Sequence, residues 1–319
     1  MNRVELVIAS EDSGKKLHRF LRQSLPGMPL SGIYRMIRVG RVKINGKKGK
    51  LNSLLAAGDQ LVLFMSPEDY QALKKEPPKF LGVSKDLSIL YEDDALLVVN
   101  KPSGLLTHPD GKEQKDTLVN RVLSYLHHKG ELTSMRTFLP APVNRLDRNT
   151  SGIVLFGKDQ SSLRILTGEI RERRVKKTYL GIVWGKWHGE GEISARLEKQ
   201  SDAGAVRVQV HEHEGGLAAL TRYKVLGSGA AHSLVQLELV SGRTHQLRVH
   251  LQSVGHPLVG DVKYGGEPGL GVRHQLLHAL TLELPGGQHW QAPPSEEFMM
   301  ALRQAGLDRY WPVDERPTS

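Results

Sequence analysis

The sequence predicts an α+β protein: a large domain built on a predominantly antiparallel mixed β-sheet with peripheral helices, preceded by a small α+β domain. Three observations lead to this prediction. The 319 residues exceed most single domains. Apolar runs of strand length outnumber long amphipathic helices. A polar, proline-bearing stretch over residues 66–79 looks like a tether, so we expect domains at 1–80 and 81–319.

The small domain is predicted to contain two helices and a hairpin. Helical spacing covers residues 16–25 and 31–39, and an alternating strand then enters the Asn45-Gly46 turn before a second strand at 60–65. No acidic residue lies between Lys15 and Lys50. We therefore favour phosphate contact over a merely solvated charged face. The cations expected to contact phosphate groups of a nucleic acid are Arg19, Arg35, Arg38, Arg41 and Lys43.

The helices and strands of the large domain are predicted from apolar runs that end at turn residues. Leu163, Leu166 and Ile170 mark one amphipathic helix, and a second should begin with Thr244 as its cap and end at Gly255. Strands are predicted at residues 87–91, 95–100, 153–156, 235–239 and 276–284.

Composition narrows the class of protein. The formal charge of +10, from 44 Lys and Arg against 34 Asp and Glu, favours a polyanionic partner over a merely basic protein. The absence of cysteine excludes disulfides, thiolate nucleophiles and Cys-ligated metals. No stretch reaches the ~18 apolar residues of a membrane span, and the first ten residues do not resemble an export signal. We expect a cytoplasmic protein.

The fourteen histidines do not predict a metal site. His245 and His250 are five residues apart on a predicted helix, and His127 and His128 are adjacent and diverge. The glycine pair at residues 265–266 has no Walker pattern around it. We expect neither a metal nor a cofactor.

Asp147 is the candidate for chemistry. It lies in a predicted loop between Arg145 and Arg148, whose positive charges would favour its ionised form. An aspartate in a polar loop is more commonly part of an Asx-turn or a surface salt bridge. The local pattern alone leaves both interpretations open.

Four motifs, in order, resemble the RluA-type pseudouridine synthases over about residues 85–295. The signature lies at residues 145–152 (RLDRNTSG). The others lie at residues 91–94 with 100–105 (YEDD, NKPSGL), 177–179 (KTY) and 242–250 (GRTHQLRVH). The resemblance implies isomerisation of uridine in RNA without a cofactor: the C1′–N1 bond breaks, uracil rotates, and C5 joins C1′. Glycosidic cleavage needs an anion near C1′, and the motif assigns Asp147 to that place.

The resemblance also implies the remaining site residues. Arg243 matches the basic residue that pairs with the carboxylate, and Tyr179 matches an active-site tyrosine that meets the base. Arg145 matches the arginine that fills the stack left by an extruded base, and Leu277 would line the pocket. Phosphate contacts for the two arginines, and core positions for Tyr179 and Leu277, remain open.

The chain departs from the family at Asn144, where the commonest residue is His. This change argues against an acid–base role for position 144 and leaves the prediction for Asp147 untouched. We expect Asn144 to be structural or to face RNA.

The first domain resembles an S4-type RNA-binding domain over residues 14–64, most specifically over 27–46. This domain is similar to that of RluC-like and RluD-like members, which implies large-subunit (23S) ribosomal RNA as the substrate of a monomeric enzyme. The alternatives are a non-catalytic ribosome-assembly factor and a pseudouridine synthase for tRNA. A glycoside-type hydrolase is disfavoured, because no motif supplies the second carboxylate it needs.

Overall fold

The computed structural model describes residues 2–74, 80–111, 113–132, 138–202, 205–211 and 216–311. The chain forms two compact units. Unit 1 comprises Met1–Lys85 and Asn120–Pro140, and unit 2 comprises Asp86–Val119 and Ala141–Ser319. The predicted single boundary near residue 80 did not foresee that Asn120–Pro140 belongs to unit 1.

The elements of residues 1–85 are β1 (Val4–Val7), α1 (Leu17–Ser24), α2 (Leu30–Arg38), β2 (Val42–Ile44), β3 (Lys47–Lys48), β4 (Gln60–Leu63) and α3 (Pro67–Lys74). Those that follow, up to the middle of the chain, are β5 (Ser88–Glu92), β6 (Leu96–Lys101), α4 (Leu118–His128), β7 (Ala141–Pro142), β8 (Ser151–Gly157) and α5 (Gln160–Arg171). The remainder are β9 (Lys176–Trp184), β10 (Glu190–Asp202), β11 (Ala205–His211), β12 (Leu217–Ser228), β13 (His232–Leu239), α6 (Gln246–Ser253), β14 (Leu277–Glu283), β15 (His289–Gln291) and α7 (Glu296–Gln304).

Unit 1 contains the predicted pair of helices and the hairpin. Leu17 and Leu21 on α1 and Ile33 and Ile37 on α2 are fully or almost fully buried, as their i, i+4 spacing predicts. Its sheet has the order β1-β4-β2-β3. The β2–β3 turn has positive φ at Asn45 (48°) and at Gly46 (77°), the conformation that a two-residue Asn-Gly hairpin requires.

The stretch predicted as a linker begins instead with a helix. Pro67 opens α3, where a missing N–H costs nothing, and the Ser66 side chain accepts a hydrogen bond from the Asp69 N–H. Tyr70 is buried against the unit 1 core. The tether interpretation is therefore wrong for residues 67–74, and residues 75–79 lie outside the described part of the chain.

Unit 2 is organised around an eleven-stranded sheet. The main path is β11-β10-β12-β13-β9-β14-β8-β6-β5, with β15 beside β14 and β7 beside β8. Within the described ranges every pair is antiparallel except β14 with β8. The predicted fold class, a predominantly antiparallel mixed sheet, is confirmed. Strand β8 is buried at all seven residues, as expected for a strand covered on both faces.

Two apolar clusters cover the central strands of unit 2. One joins strand residues such as Ile153 and Leu155 to Leu166 of α5. The other joins Leu180 and Leu234 to α7 and its neighbours. Because these helices pack on the sheet and do not alternate with parallel strands, they are peripheral in the sense that was predicted. None of the helices in the described ranges is long and apolar enough to cross a membrane.

Candidate active site

The loop that carries Asp147 runs from β7 into β8 and is held on both sides of that residue. Before it, the Thr107 hydroxyl donates to the Leu146 carbonyl (2.9 Å) and accepts from the Leu146 N–H (3.2 Å). After it, the Lys101 ammonium donates to the Arg148 carbonyl (2.9 Å). The Thr150 N–H closes a turn onto the Asp147 carbonyl (3.1 Å). The main chain at Asp147 is therefore fixed by neighbours from a distant part of the sequence.

Gly152 lets the start of β8 lie directly against β14. Its φ is +110°, a conformation that other residues rarely adopt, and a Cβ at this position would collide with the backbone of Ala279. The parallel pairing of Ser151 with His278 and of Gly152 with Ala279 depends on this close approach. The glycine that ends the RLDRNTSG motif thus brings the Asp147 loop next to the strand of Leu277.

Lys101 is a fully buried cation beneath this loop. Its ammonium donates to the carbonyls of Pro102 (2.8 Å), Leu105 (2.7 Å) and Arg148, so all three of its protons have acceptors. Burial lowers the pKa of Lys101 to about 7, against the opposing effect of Asp147. The lysine of the NKPSGL motif therefore joins that motif to the Asp147 loop.

Arg248 is the residue that pairs with Asp147. Its Nη1 lies 2.8 Å from Oδ2 of Asp147, while its Nε and Nη2 donate to both carboxylate oxygens of Asp261 at 2.7 and 2.6 Å. Asp261 is buried, whereas the Asp147 side chain is 29% exposed. The bidentate bond orients the guanidinium, which then presents one N–H to Asp147. Both carboxylates raise the pKa of Arg248 against burial, so it stays charged.

The prediction that Arg243 pairs with Asp147 is wrong. The Nε of Arg243 donates to the Ala218 carbonyl (3.2 Å), and no ion pair joins Arg243 to an acidic residue in the described part of the chain. Arg243 precedes α6, whereas Arg248 lies within this helix. Thr244 does not cap it, because His245 is the N-cap and Gln246 the first helical residue. Arg248 is therefore the arginine of this motif that lies inside the helix and faces the core.

Neither arginine adjacent to Asp147 in sequence forms an ion pair with it. Arg148 approaches Asp110 instead (3.7 Å), and both of these side chains are well exposed. Arg145 is exposed and lies near His108, whose pKa is lowered chiefly by burial and further by this arginine. The charges that neighbour Asp147 in sequence are thus directed elsewhere.

A pocket brings all five predicted site residues together. Its walls are Arg145, Leu146, Asp147, Thr150, Tyr179, Leu239, Arg243, His245, Gln246, Leu247, Arg248 and Leu277. Tyr179 lies on β9 between Leu237 of β13 and Ala279 of β14, and its side chain is almost fully buried. Burial raises the pKa of Tyr179 well above its ordinary value, and the charge of Asp147 adds to the effect. The Tyr179 phenol is therefore held in its protonated form beside Asp147.

Comparisons with known proteins identify the family of the chain. Residues 95–253 match the model of the RNA pseudouridylate synthase family. The chain is 35% identical over 298 residues to the ribosomal large subunit pseudouridine synthase C of Vibrio cholerae, with 88% of each chain covered. The chain belongs to the RNA pseudouridylate synthase family. It is an RNA pseudouridine synthase of the RluA type, as its motifs imply.

Further similarities extend along the same chain. The ribosomal large subunit pseudouridine synthase C of Escherichia coli K12 is 35% identical over 324 residues, covering 94% of this synthase and 95% of the relative. The structure of human RNA pseudouridylate synthase domain containing 1 superposes with a TM-score of 0.55 at 27% identity, over 71% of this chain and 88% of that one. Human RNA pseudouridylate synthase domain containing 4 shares the fold, with a TM-score of 0.57 at 24% identity over 69% and 93%.

Asn144 has a structural role in this synthase. Its Nδ2 donates to the Ile153 carbonyl (3.0 Å), and its Oδ1 accepts from the Leu155 N–H (2.9 Å). These two bonds join the segment before the Asp147 loop to the main chain of β8. The neutral Asn144 amide supplies both the donor and the acceptor that these two main-chain bonds require.

Sequence analysis missed three residues that complete the site: Arg248, Asp261 and Tyr264. Arg248 lies within the quoted GRTHQLRVH motif and could have been found by weighing both of its arginines. Asp261 is a buried acidic residue directly after Gly260, and only the fold brings it within 2.6 Å of Arg248. Tyr264 packs its ring 4.9 Å from the guanidinium of Arg248. No sequence pattern predicts the contact between Tyr264 and Arg248.

The cations predicted to bind RNA are on the surface of unit 1. Arg19, Arg35, Arg38 and Arg41 are exposed, and none of them forms an ion pair with another residue of the described ranges. Lys43 is partly covered and lies 5.3 Å from the centre of the Phe64 ring. Among the described residues, no group of three His, Asp or Glu side chains is placed to hold a metal ion.

Proposed function

We propose that this synthase converts uridine to pseudouridine in large-subunit ribosomal RNA, with the Asp147 carboxylate acting at C1′. The observation that carries the proposal is the pocket in which Asp147, held by Arg248, faces Tyr179 and Leu277. The substrate class is supported by the similarity to two enzymes named ribosomal large subunit pseudouridine synthase C, along 88% and 94% of this chain.

The chemistry needs a fixed anion. Breaking the C1′–N1 bond leaves its electron pair on uracil and builds positive charge on the sugar, which a carboxylate stabilises electrostatically or traps as an ester. The C5–C1′ bond then forms, the C5 proton leaves, and N1 gains a proton. Atoms balance without a cofactor. Asp147 is the carboxylate of the pocket wall, and its Oδ1 has no hydrogen-bond or ion-pair partner among the described residues.

Arg248 would keep that anion oriented at little cost during the reaction. Because Asp261 already holds the guanidinium through two short bonds, Arg248 does not need to reorganise when charge on Asp147 changes. A preorganised donor of this kind stabilises the ionised carboxylate selectively. Asp261 is therefore a positioning residue in this proposal.

Tyr179 and Leu277 would hold the base. Both lie on adjacent strands, β9 and β14, and both line the pocket beside Asp147. The buried, protonated phenol of Tyr179 offers an aromatic face to a planar base, and Leu277 offers an apolar wall. The contacts of uracil with Tyr179 and Leu277 would not depend on which edge of the base faces the sugar. The base could therefore rotate while both contacts are kept.

The pocket requires an extruded nucleotide, because C1′ and C5 are not accessible together in a stacked helix. Arg145 is exposed on the pocket wall and is our candidate to fill the stack that the base leaves. The exposed cations of unit 1 are our candidates for phosphate contacts along the same RNA. Arg243, which has no acidic partner among the described residues, belongs with the phosphate contacts.

Mapping pseudouridine in ribosomal RNA from cells with and without the protein tests the substrate. We expect at least one large-subunit site to disappear and to return with the wild-type gene but not with Asp147→Ala. Loss of a site in tRNA alone would contradict the ribosomal substrate. Full activity of purified Asp147→Ala would contradict the role of the carboxylate. Asp308→Asn, a change of an exposed aspartate in unit 2, is the matched control.

A further inference from the structure

His245 stands beside Asp147 in a constrained position. Its Nε2 lies 3.9 Å from Oδ2 of Asp147, the same oxygen that Arg248 contacts. Its backbone adopts φ +51°, which is unfavourable for a residue other than glycine, and its side chain is only 14% exposed. Strained backbone that directs a polar side chain into a pocket is typical of functional positions.

The hydrogen bonds around Tyr264 determine which nitrogen of His245 carries the proton. The Tyr264 oxygen accepts from the Val208 N–H (3.0 Å) and lies 2.7 Å from Nδ1 of His245. If Nδ1 carried the proton, the Tyr264 hydroxyl would accept twice, and its own proton would have no acceptor among the described residues. Tyr264 is buried, so that arrangement is disfavoured. The phenol therefore donates to Nδ1, and the proton of a neutral imidazole lies on Nε2.

The surroundings keep the imidazole neutral. Burial lowers the pKa of His245, and the positive charges of Arg248 and Lys263 act in the same direction, while Asp147 and Asp261 oppose them. Burial likewise raises the pKa of Tyr264, which keeps its hydroxyl protonated. A neutral Nε2–H donor is thus presented to the Asp147 side of the pocket.

We propose that His245, held in its Nε2–H form by Tyr264, is a positioning residue that donates to Oδ2 of Asp147 when RNA fills the pocket. A movement of about 1 Å converts the present separation into a hydrogen bond. Arg248 and His245 then hold Oδ2 from two directions, and Oδ1 remains for C1′. This inference rests on the role proposed above for Asp147.

Selective ¹⁵N-histidine labelling of the full-length protein tests the tautomer directly. The two ring nitrogens of a neutral imidazole have well-separated ¹⁵N shifts, and loss of one signal set in His245→Gln assigns the residue. We expect the protonated nitrogen to be Nε2 in the wild type and a mixture of tautomers in Tyr264→Phe. A wild-type His245 protonated mainly on Nδ1 overturns the inference, whatever the kinetics of the variants.

Kinetics on a ribosomal RNA fragment test the donor. His245→Ala should lower kcat about tenfold with a small change in KM, the effect of one lost hydrogen bond to a charged group. His245→Gln carries the same backbone strain and restores an N–H near the Nε2 position, so most of kcat should return. Equal losses in both variants, or none in His245→Ala, overturn the inference. Tyr223→Phe is the control for Tyr264→Phe, because Tyr223 stacks on Trp187 and does not line the pocket.

Asp147→Ala separates the two proposals. An inactive Asp147→Ala beside a His245→Ala with wild-type kcat rejects the role of His245 alone. Full activity in Asp147→Ala rejects the proposed function itself, and the role of His245 with it.

Discussion

Asp261→Asn isolates the contribution of the buried ion pair behind the Asp147 pocket. Asparagine has the shape of aspartate, but it keeps only one acceptor for Arg248 and turns an NH₂ group toward a guanidinium N–H. The two bonds now measure 2.7 and 2.6 Å, and one of them is lost. A hydrogen bond to a charged group contributes roughly 1.5–3 kcal/mol, and breaking a buried pair costs roughly 3–5 kcal/mol. Because Asp147 still neutralises Arg248, we take the low end, about 3 kcal/mol.

Urea unfolding followed by tryptophan fluorescence measures this loss. All four tryptophans (Trp184, Trp187, Trp290 and Trp311) belong to unit 2, so the signal reports on the unit that contains the ion pair. With a urea m-value of about 3 kcal/mol per molar, the midpoint should fall by about 1 M. Asp308→Asn should leave the midpoint unchanged, because that aspartate is exposed. A fall of less than about 0.2 M in the urea midpoint of Asp261→Asn would refute the argument that the buried Arg248–Asp261 ion pair contributes substantially to stability.

Three further perturbations have distinct expected outcomes. Gly152→Ala forces a Cβ into the neighbouring strand and should abolish both activity and the folding of unit 2. Gly168 lies on α5 with open space around it, so Gly168→Ala should be neutral or should stabilise the protein by about 0.5–1 kcal/mol in the same urea assay. Burial lowers the pKa of His278 to about 4, so the unfolded chain binds more protons than the folded chain between pH 6.5 and 4. His278 should therefore contribute about 2–3 kcal/mol to the loss of stability as the pH drops through that window, and His278→Gln should reduce the loss by that amount. His250, whose pKa is also lowered to about 4, accounts for part of the remainder. Replacing both Arg38 and Arg41 by Gln should weaken RNA binding. The slope of the logarithm of the binding constant against the logarithm of the salt concentration should fall by about 0.7–0.9 per lost phosphate contact. An unchanged slope would show that these two cations do not contact the RNA.

Local patterns predicted the elements well where the signal itself is local. The Asn45-Gly46 hairpin, the two helices before it and the strand that follows Asp147 were predicted from turn chemistry and from apolar runs. Residues 67–74 were misassigned because their composition is polar, and a short helix with one buried tyrosine leaves little periodic signal. A single tertiary contact at Tyr70 outweighs that composition.

The partner of Asp147 shows a different limit. The resemblance pointed to the correct motif but assigned the pairing to Arg243, the first of its two arginines. Helix α6 begins at Gln246, whose side chain accepts from the Arg243 N–H and holds the Ser241 turn. Arg248 is the third residue of this helix, within its buried first turn. Only the fold adds Asp261 on the other side of the guanidinium, which makes Arg248 a rigid donor and distinguishes it from a mobile surface arginine.

Asp147 is consequently restrained in two independent ways. The Lys101 ammonium and the Thr107 hydroxyl fix its main chain through the carbonyls on either side, while Arg248 fixes its side chain through Oδ2. Each of these anchors is buried, although Asp147 itself is partly open to solvent. A partly exposed carboxylate in a loop would otherwise sample several rotamers, and any sugar bound to it would meet a misplaced oxygen. If Asp147 acts at C1′ as proposed, buried supporting charges around a partly exposed carboxylate would combine access for RNA with the positional precision that bond cleavage demands.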